Sequence, residues 1–164
     1  MGKNLLIFNE KNLDEHLSTF DFISGWQVKK IYPNTVKISI TEKQPVAIFQ
    51  KGKQKFYISK KGELMKFIEI LELNNLPIVI GGEKNFSNFY FELKRIKFPI
   101  NEIKTYLFYD LERWDIILKD NKIIKLPVNN IVFSLKNYLN FRNDSNFKNY
   151  KIFDYRIKDQ LILK

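Results

Sequence analysis

Between residues 35 and 50 the chain reads T-V-K-I-S-I-T-E-K-Q-P-V-A-I-F-Q, and no other passage limits its folding choices so much. Val36, Ile38 and Ile40 alternate with Lys37 and Ser39, so an extended backbone puts the apolar set on one face and the polar set on the other. The Pro33-Asn34 pair before it is a turn signal, and it follows another extended run, W-Q-V-K-K-I-Y at 26–32. These segments predict an antiparallel hairpin with strands near 26–32 and 35–42. Pro45 has no N–H to give to a ladder, so it interrupts the pairing and marks a domain boundary near Glu42 to Pro45.

Upstream, N-L-L-I-F at 4–8 is a short apolar run. Leu13, Leu17 and Phe20 then recur at helical spacing over 10–20, and Gly25 closes that segment. Downstream, V-A-I-F-Q, K-F-Y-I-S and E-L-M-K-F are separated by turns at Lys51-Gly52-Lys53 and Lys60-Lys61-Gly62, the rhythm of a meander. A short strand, N-N-L-P-I-V-I-G-G, is bracketed by Pro77 and Gly81-Gly82. Phe86, Phe89, Tyr90 and Leu93 share one stripe and predict a helix over 85–96, and Ile131, Leu135, Tyr138 and Leu139 predict a second over 129–142. Asp120-Asn121 is a two-residue turn between W-D-I-I-L-K and K-I-I-K-L-P. The chain closes on I-F-D-Y-R-I-K-D-Q-L-I-L-K, a last strand or hairpin. The fold class expected is α+β: a mostly antiparallel sheet with two helices, preceded by a small incomplete module.

Composition removes several classes of function. There is no cysteine, which excludes disulfides, thiol catalysis and cysteine zinc sites. The single His16 has no second histidine with which to build a metal site. The carboxylate pairs Asp14/Glu15, Glu69/Glu72 and Asp110/Glu112 lie among lysines and read as solvated charge. No phosphate-binding glycine motif and no G-x-S-x-G nucleophile motif occur. The residues therefore supply no cofactor site, no metal site and no catalytic centre. The net charge is +10, with 28 Lys plus Arg against 18 Asp plus Glu. Those cations are scattered along every segment, whereas a nucleic-acid footprint gathers on one face. Aromatics interleaved with lysines, such as Phe56 and Tyr57, read as core-in, charge-out strands, so nucleic acid is not the expected partner. No apolar run approaches the ~20 residues of a membrane helix, and the N-terminus lacks the apolar length of a signal peptide.

Five passages, in order, resemble the FtsQ/DivIB family of bacterial cell division proteins. Val28-Lys29-Lys30, Tyr32-Pro33, the alternating strand to Ile40 and Glu42-Lys43-Gln44-Pro45-Val46-Ala47 are similar to the end of that family's POTRA domain, a small β-α-α-β-β module. Y-I-S-K-K-G-E-L-M-K-F resembles a family hairpin, with Ser59 where aspartate is usual. N-L-P-I-V-I-G-G resembles another family motif. R-W-D-I-I-L-K-D-N-K-I-I-K-L-P resembles an R-W segment, with Lys122 in place of the usual glycine. F-D-Y-R resembles the closing D-x-R strand.

The resemblance implies a partial POTRA domain at 1–44, lacking its first strand and helix, and an FtsQ-type β-domain at 45–164. It implies a piece of a single-pass inner-membrane protein whose cytoplasmic tail and membrane span precede this sequence. The long C-terminal tail of Gram-positive relatives is also missing, which points to a Gram-negative FtsQ. The part in hand would lie in the periplasm at the septum. It also implies a non-enzymatic scaffold linking early and late division proteins. FtsB- and FtsL-like proteins would add a strand to the C-terminal edge, and other divisome components would meet the POTRA part. Partner-binding residues would then be Arg156, Ile157, Lys158, Asp159, Leu161 and Leu163 along a strand at 157–164. Arg113 joins them: with Trp114, Ile116 and Leu118 facing the core, it points outward toward a partner carboxylate, and its replacement would leave folding untouched. Two alternatives remain at this point, a POTRA-bearing outer-membrane assembly or transport component and, less in keeping with the charge pattern, a basic nucleic-acid-binding domain.

Overall fold

The structure, a computed structural model, describes residues 10–164; the apolar run at 4–8 lies outside them. The chain divides into two compact units, Met1–Gln44 and Pro45–Lys164.

In the first unit, α1 (Glu10–Leu17) leads into a hairpin of β1 (Ile23–Ile31) and β2 (Thr35–Glu42). The strands pair antiparallel with Val28 opposite Ile38 and Trp26 opposite Ile40, so the alternation read from the sequence sets the register. The Trp26 indole N–H donates to the Asp14 carboxylate at 3.0 Å and ties α1 to β1. The helix stops before Phe20, which is exposed. Gly25 does not break that segment but lies inside β1, where the register shifts. His16 is exposed.

In the second unit nine strands form one sheet. They are β3 (Pro45–Lys51), β4 (Gln54–Ser59), β5 (Leu64–Lys66), β6 (Ile78–Ile80), β7 (Ile103–Tyr109), β8 (Arg113–Leu118), β9 (Ile123–Lys125), β10 (Ile152–Asp154) and β11 (Ile162–Leu163). The spatial order is β11-β10-β9-β8-β7-β6-β3-β4-β5. Most neighbours are antiparallel, as expected. Three pairs, β3–β6, β6–β7 and β9–β10, are parallel. A parallel pair of consecutive strands needs a crossover. The two helices supply these: α2 (Glu83–Arg95) joins β6 to β7, and α3 (Ile131–Phe141) joins β9 to β10.

Both helices turn their apolar stripes to the same side of the sheet. Phe86, Phe89, Tyr90 and Leu93 of α2 and Leu135 and Tyr138 of α3 share one cluster with Tyr106, Trp114, Ile116, Ile124 and Phe153. Burying aromatic surface at about 25 cal/mol per Å² makes each such ring worth several kcal/mol. The start of α2 requires Gly82, which has φ +64; a Cβ there would meet the Phe108 ring at 2.5 Å. The chain's last segment departs from expectation. The strand foreseen over 157–164 is two residues long, because 155–161 forms a loop in which Asp159 takes a left-handed φ of 58°.

Candidate functional site

Among the described residues β11 is the outermost strand at this side of the sheet and pairs with β10 alone. Lys164 N–H donates to Ile152 O and Ile152 N–H to Lys164 O, so these two residues face each other as a bonded pair. Antiparallel ladders alternate, so Ile162 also bonds to β10 while Leu163, opposite Phe153, turns its N–H and C=O outward. Unpaired main-chain groups on an edge are a template for another strand.

Beside this edge, α3 and the loop after β10 enclose a cleft of about 950 Å³. Val128, Phe133, Phe141, Phe147, Ile157 and Leu161 give it a mainly apolar lining. Phe133 is 70% exposed and Ile157 51%, a large apolar display for a solvent-facing surface. Six of the seven residues expected at the site, Arg156, Ile157, Lys158, Asp159, Leu161 and Leu163, line this cleft together.

Arg113 does not. It lies on the sheet face opposite the helices, while Trp114, Ile116 and Leu118 are buried in the core as expected. Its side chain is only 16% exposed and is already engaged. The guanidinium stacks 4.5 Å over the Tyr109 ring, its cross-strand partner, and its Nε lies 3.3 Å from Asp115. That separation attracts, although the two atoms are not aligned for a hydrogen bond.

Asp115 begins a row of charges that the sequence reading missed. It lies directly opposite Lys125 on β9, which in turn lies opposite Asp154 on β10. Asp115 and Asp154 are both nearly inaccessible to solvent. Asp154 accepts from Arg156 three times, from the backbone N–H at 3.1 Å, from Nε at 2.8 Å and from Nη2 at 2.6 Å. The bonds from the Arg156 side chain hold the Asp154 carboxyl below its ordinary range and raise the arginine in turn. Burial has the opposite effect on Asp115 and pushes its carboxyl up, with Arg113, the Leu126 N–H and Lys125 only partly offsetting it. One signal for the row was available: an aspartate breaks the apolar run in W-D-I-I-L and again in I-F-D-Y. What the sequence could not supply was which strands would bring those two aspartates to either side of Lys125.

Among the described residues, no group of three or more His, Cys, Asp or Glu side chains could hold a metal ion, and no helix is long and apolar enough to cross a membrane.

No family model matches the chain. Among curated proteins it is 33% identical over 169 residues to the cell division protein FtsQ of Rickettsia conorii, covering 99% of this chain and 62% of that protein. It is 30% identical to FtsQ of Rickettsia bellii over the same shares of each. With FtsQ of Agrobacterium fabrum it shares 27% identity over 117 residues, 70% of this chain and 37% of that one. The chain thus spans 62% of the length of the two Rickettsia proteins. Among solved structures, the major extracytoplasmic domain of the cell division protein DivIB from Geobacillus stearothermophilus aligns with a TM-score of 0.44 and 11% identity. The alignment covers 66% of this chain and 98% of that one, a likeness too distant to carry any residue across.

Proposed function

Because this chain is a relative of the FtsQ cell division proteins along 99% of its length, we propose that it is a non-enzymatic scaffold of the division machinery that works by strand capture at its C-terminal edge. The observation that carries this reading is the meeting of an edge and a cleft at one end of the sheet. The outward main-chain groups of Leu163 offer a ladder and the cleft under Phe133 and Ile157 offers apolar surface, while the Arg156 guanidinium is held by Asp154 on the sheet face opposite the helices. Main-chain pairing supplies affinity in this mode, and the pockets for side chains supply specificity.

The partners proposed are FtsB- and FtsL-like division proteins, through an extended segment with apolar and acidic residues. The proposed setting is the periplasmic side of the inner membrane at the septum, where the chain would link early and late division proteins. The first unit, α1 with β1 and β2, is proposed as the end of a POTRA module that meets other divisome components, and residues 45–164 as the β-domain.

The test is a calorimetric titration of this chain with the extracytoplasmic segments of the FtsB- and FtsL-like proteins of the same genome. Saturable binding that is lost when Phe133 and Ile157 are both replaced by serine is the expected result. Saturable binding that the double variant leaves unchanged would remove the cleft from the function.

A further inference from the structure

Arg156 follows β10, the neighbour of the edge strand β11, and half of its fork is already committed. Asp154 takes Nε and Nη2 side-on, and the backbone N–H of Arg156 as well. A guanidinium carries five N–H donors. The side-on pair leaves Nη1 and the outer hydrogen of Nη2, an end-on edge that can hold a second carboxylate with two parallel bonds. The side chain remains 42% exposed. Asp154 itself is 5% exposed and sits on β10 between Lys125 of β9 and Ile162 of β11. Lys125 lies in turn between Asp154 and Asp115 on the same face of the sheet.

We propose that Asp154 is the positioning residue of the docking edge, holding Arg156 in one orientation so that its free end-on edge receives an acidic side chain of the partner strand. This rests on the docking reading of the C-terminal edge. A long arginine side chain loses rotamer freedom when it binds, and one already ordered by Asp154 loses less. Asp154 also cancels most of the Arg156 charge. Geometry therefore does the selecting, not the size of the local positive field.

This mechanism opposes simple charge counting, and the opposition provides the test. Asp154→Asn keeps the side chain's shape and makes the edge more positive, so charge alone demands tighter binding of an acidic segment. Positioning demands weaker binding, by about tenfold if one charge-assisted bond is lost. The probe is the FtsB-like extracytoplasmic segment, titrated against wild type, Asp154→Asn, Arg156→Gln and the double variant. Arg156→Lys, which keeps the charge without the fork, is measured beside them. The expected pattern is a loss in each single variant, a similar loss with lysine, and no further loss when Asp154→Asn is added to Arg156→Gln. The Arg156 Nε–H resonance should also shift and exchange faster in Asp154→Asn. Tighter or unchanged binding of Asp154→Asn, with Arg156→Gln weakened, overturns positioning and leaves the docking reading standing. An equal loss from Asp154→Asn in both backgrounds, with a lowered melting temperature, makes Asp154 an element of the fold only. Full affinity in Arg156→Gln removes Arg156 from the docking edge and this inference with it.

Discussion

Phe89 of α2 and Trp114 of β8 lie as parallel plates, with ring centroids 4.7 Å apart and planes within 2°. Trp114 also meets Phe86 at 6.4 Å and Phe108 at 4.8 Å, so the helix is keyed to the sheet through one indole. Phe89→Ala should therefore cost about 3–5 kcal/mol, a large share of the ~5–15 kcal/mol of a typical domain. Urea unfolding followed by far-UV circular dichroism measures it. A midpoint equal to wild type would mean that the stack adds nothing to the helix–sheet contact.

Gly82→Ala should be worse tolerated than Gly52→Ala, although both positions are left-handed. At Gly52, φ is +60 and a Cβ would meet nothing within 4 Å, so only the backbone penalty of about 1–2 kcal/mol applies. At Gly82 the same penalty is joined by a collision with the Phe108 ring and with Trp114 at 2.9 Å. Equal melting temperatures for the two variants would show that the ring yields freely.

Arg113→Gln should destabilise the protein by about 1–3 kcal/mol near neutral pH, because it strips a buried carboxylate of a cation. The sequence alone cast this residue as an outward-facing arginine for a partner carboxylate, with no role in folding. The pH dependence follows from the direction of the Asp115 shift. Burial raises its folded pKa, so its ionisation works against folding, and that contribution is fully favourable below the unfolded pKa and lost as pH rises through the folded value. Without Arg113 the folded value rises further, so the deficit should shrink as the solution is acidified. Asp154→Asn should also lose its deficit in acid, for the opposite reason. Arg156 lowers the Asp154 pKa, and the stability gained is present above the unfolded pKa and lost as pH falls through the folded one. A pH-independent deficit for Arg113→Gln would mean that the arginine acts through the Tyr109 ring alone.

Proline at two adjacent positions of β11 should separate folding from docking. Ile162 turns its N–H to β10, so Ile162→Pro should lower stability. Leu163 turns its N–H outward, so Leu163→Pro should leave the melting temperature near wild type. It should nevertheless weaken binding of the FtsB-like segment, because a partner carbonyl is left unpaired at about 1–3 kcal/mol. Folded Leu163→Pro with unchanged affinity would move docking away from this edge.

Local order in this protein is written in local spacing. The alternation of Val36, Ile38 and Ile40 specified β2 and its register, the Asp120-Asn121 pair marked the place of the β8–β9 turn, although that connection runs over 119–122 and not over two residues, and the stripe of Phe86, Phe89, Tyr90 and Leu93 specified α2 to within two residues at its start. Periodicity reports which face of an element is apolar because the backbone repeat is fixed by geometry. Who the neighbours are is a separate matter. Nothing in I-V-I at 78–80 announces that β6 will lie parallel between β3 and β7. Nothing in K-I-I-K announces that Lys125 will stand between two buried aspartates. The β6–β7 and β9–β10 neighbourhoods follow from the crossovers through α2 and α3, which gain by burying two helical faces on one side of a shared sheet. The end of the chain teaches the same lesson in reverse: L-I-L-K reads as strand, but only two residues pair, because the loop from Tyr155 to Leu161 turns to form a wall of the cleft. Secondary structure came from spacing over a few residues, while the charged row, the short edge and the cleft came from contacts between segments distant in sequence.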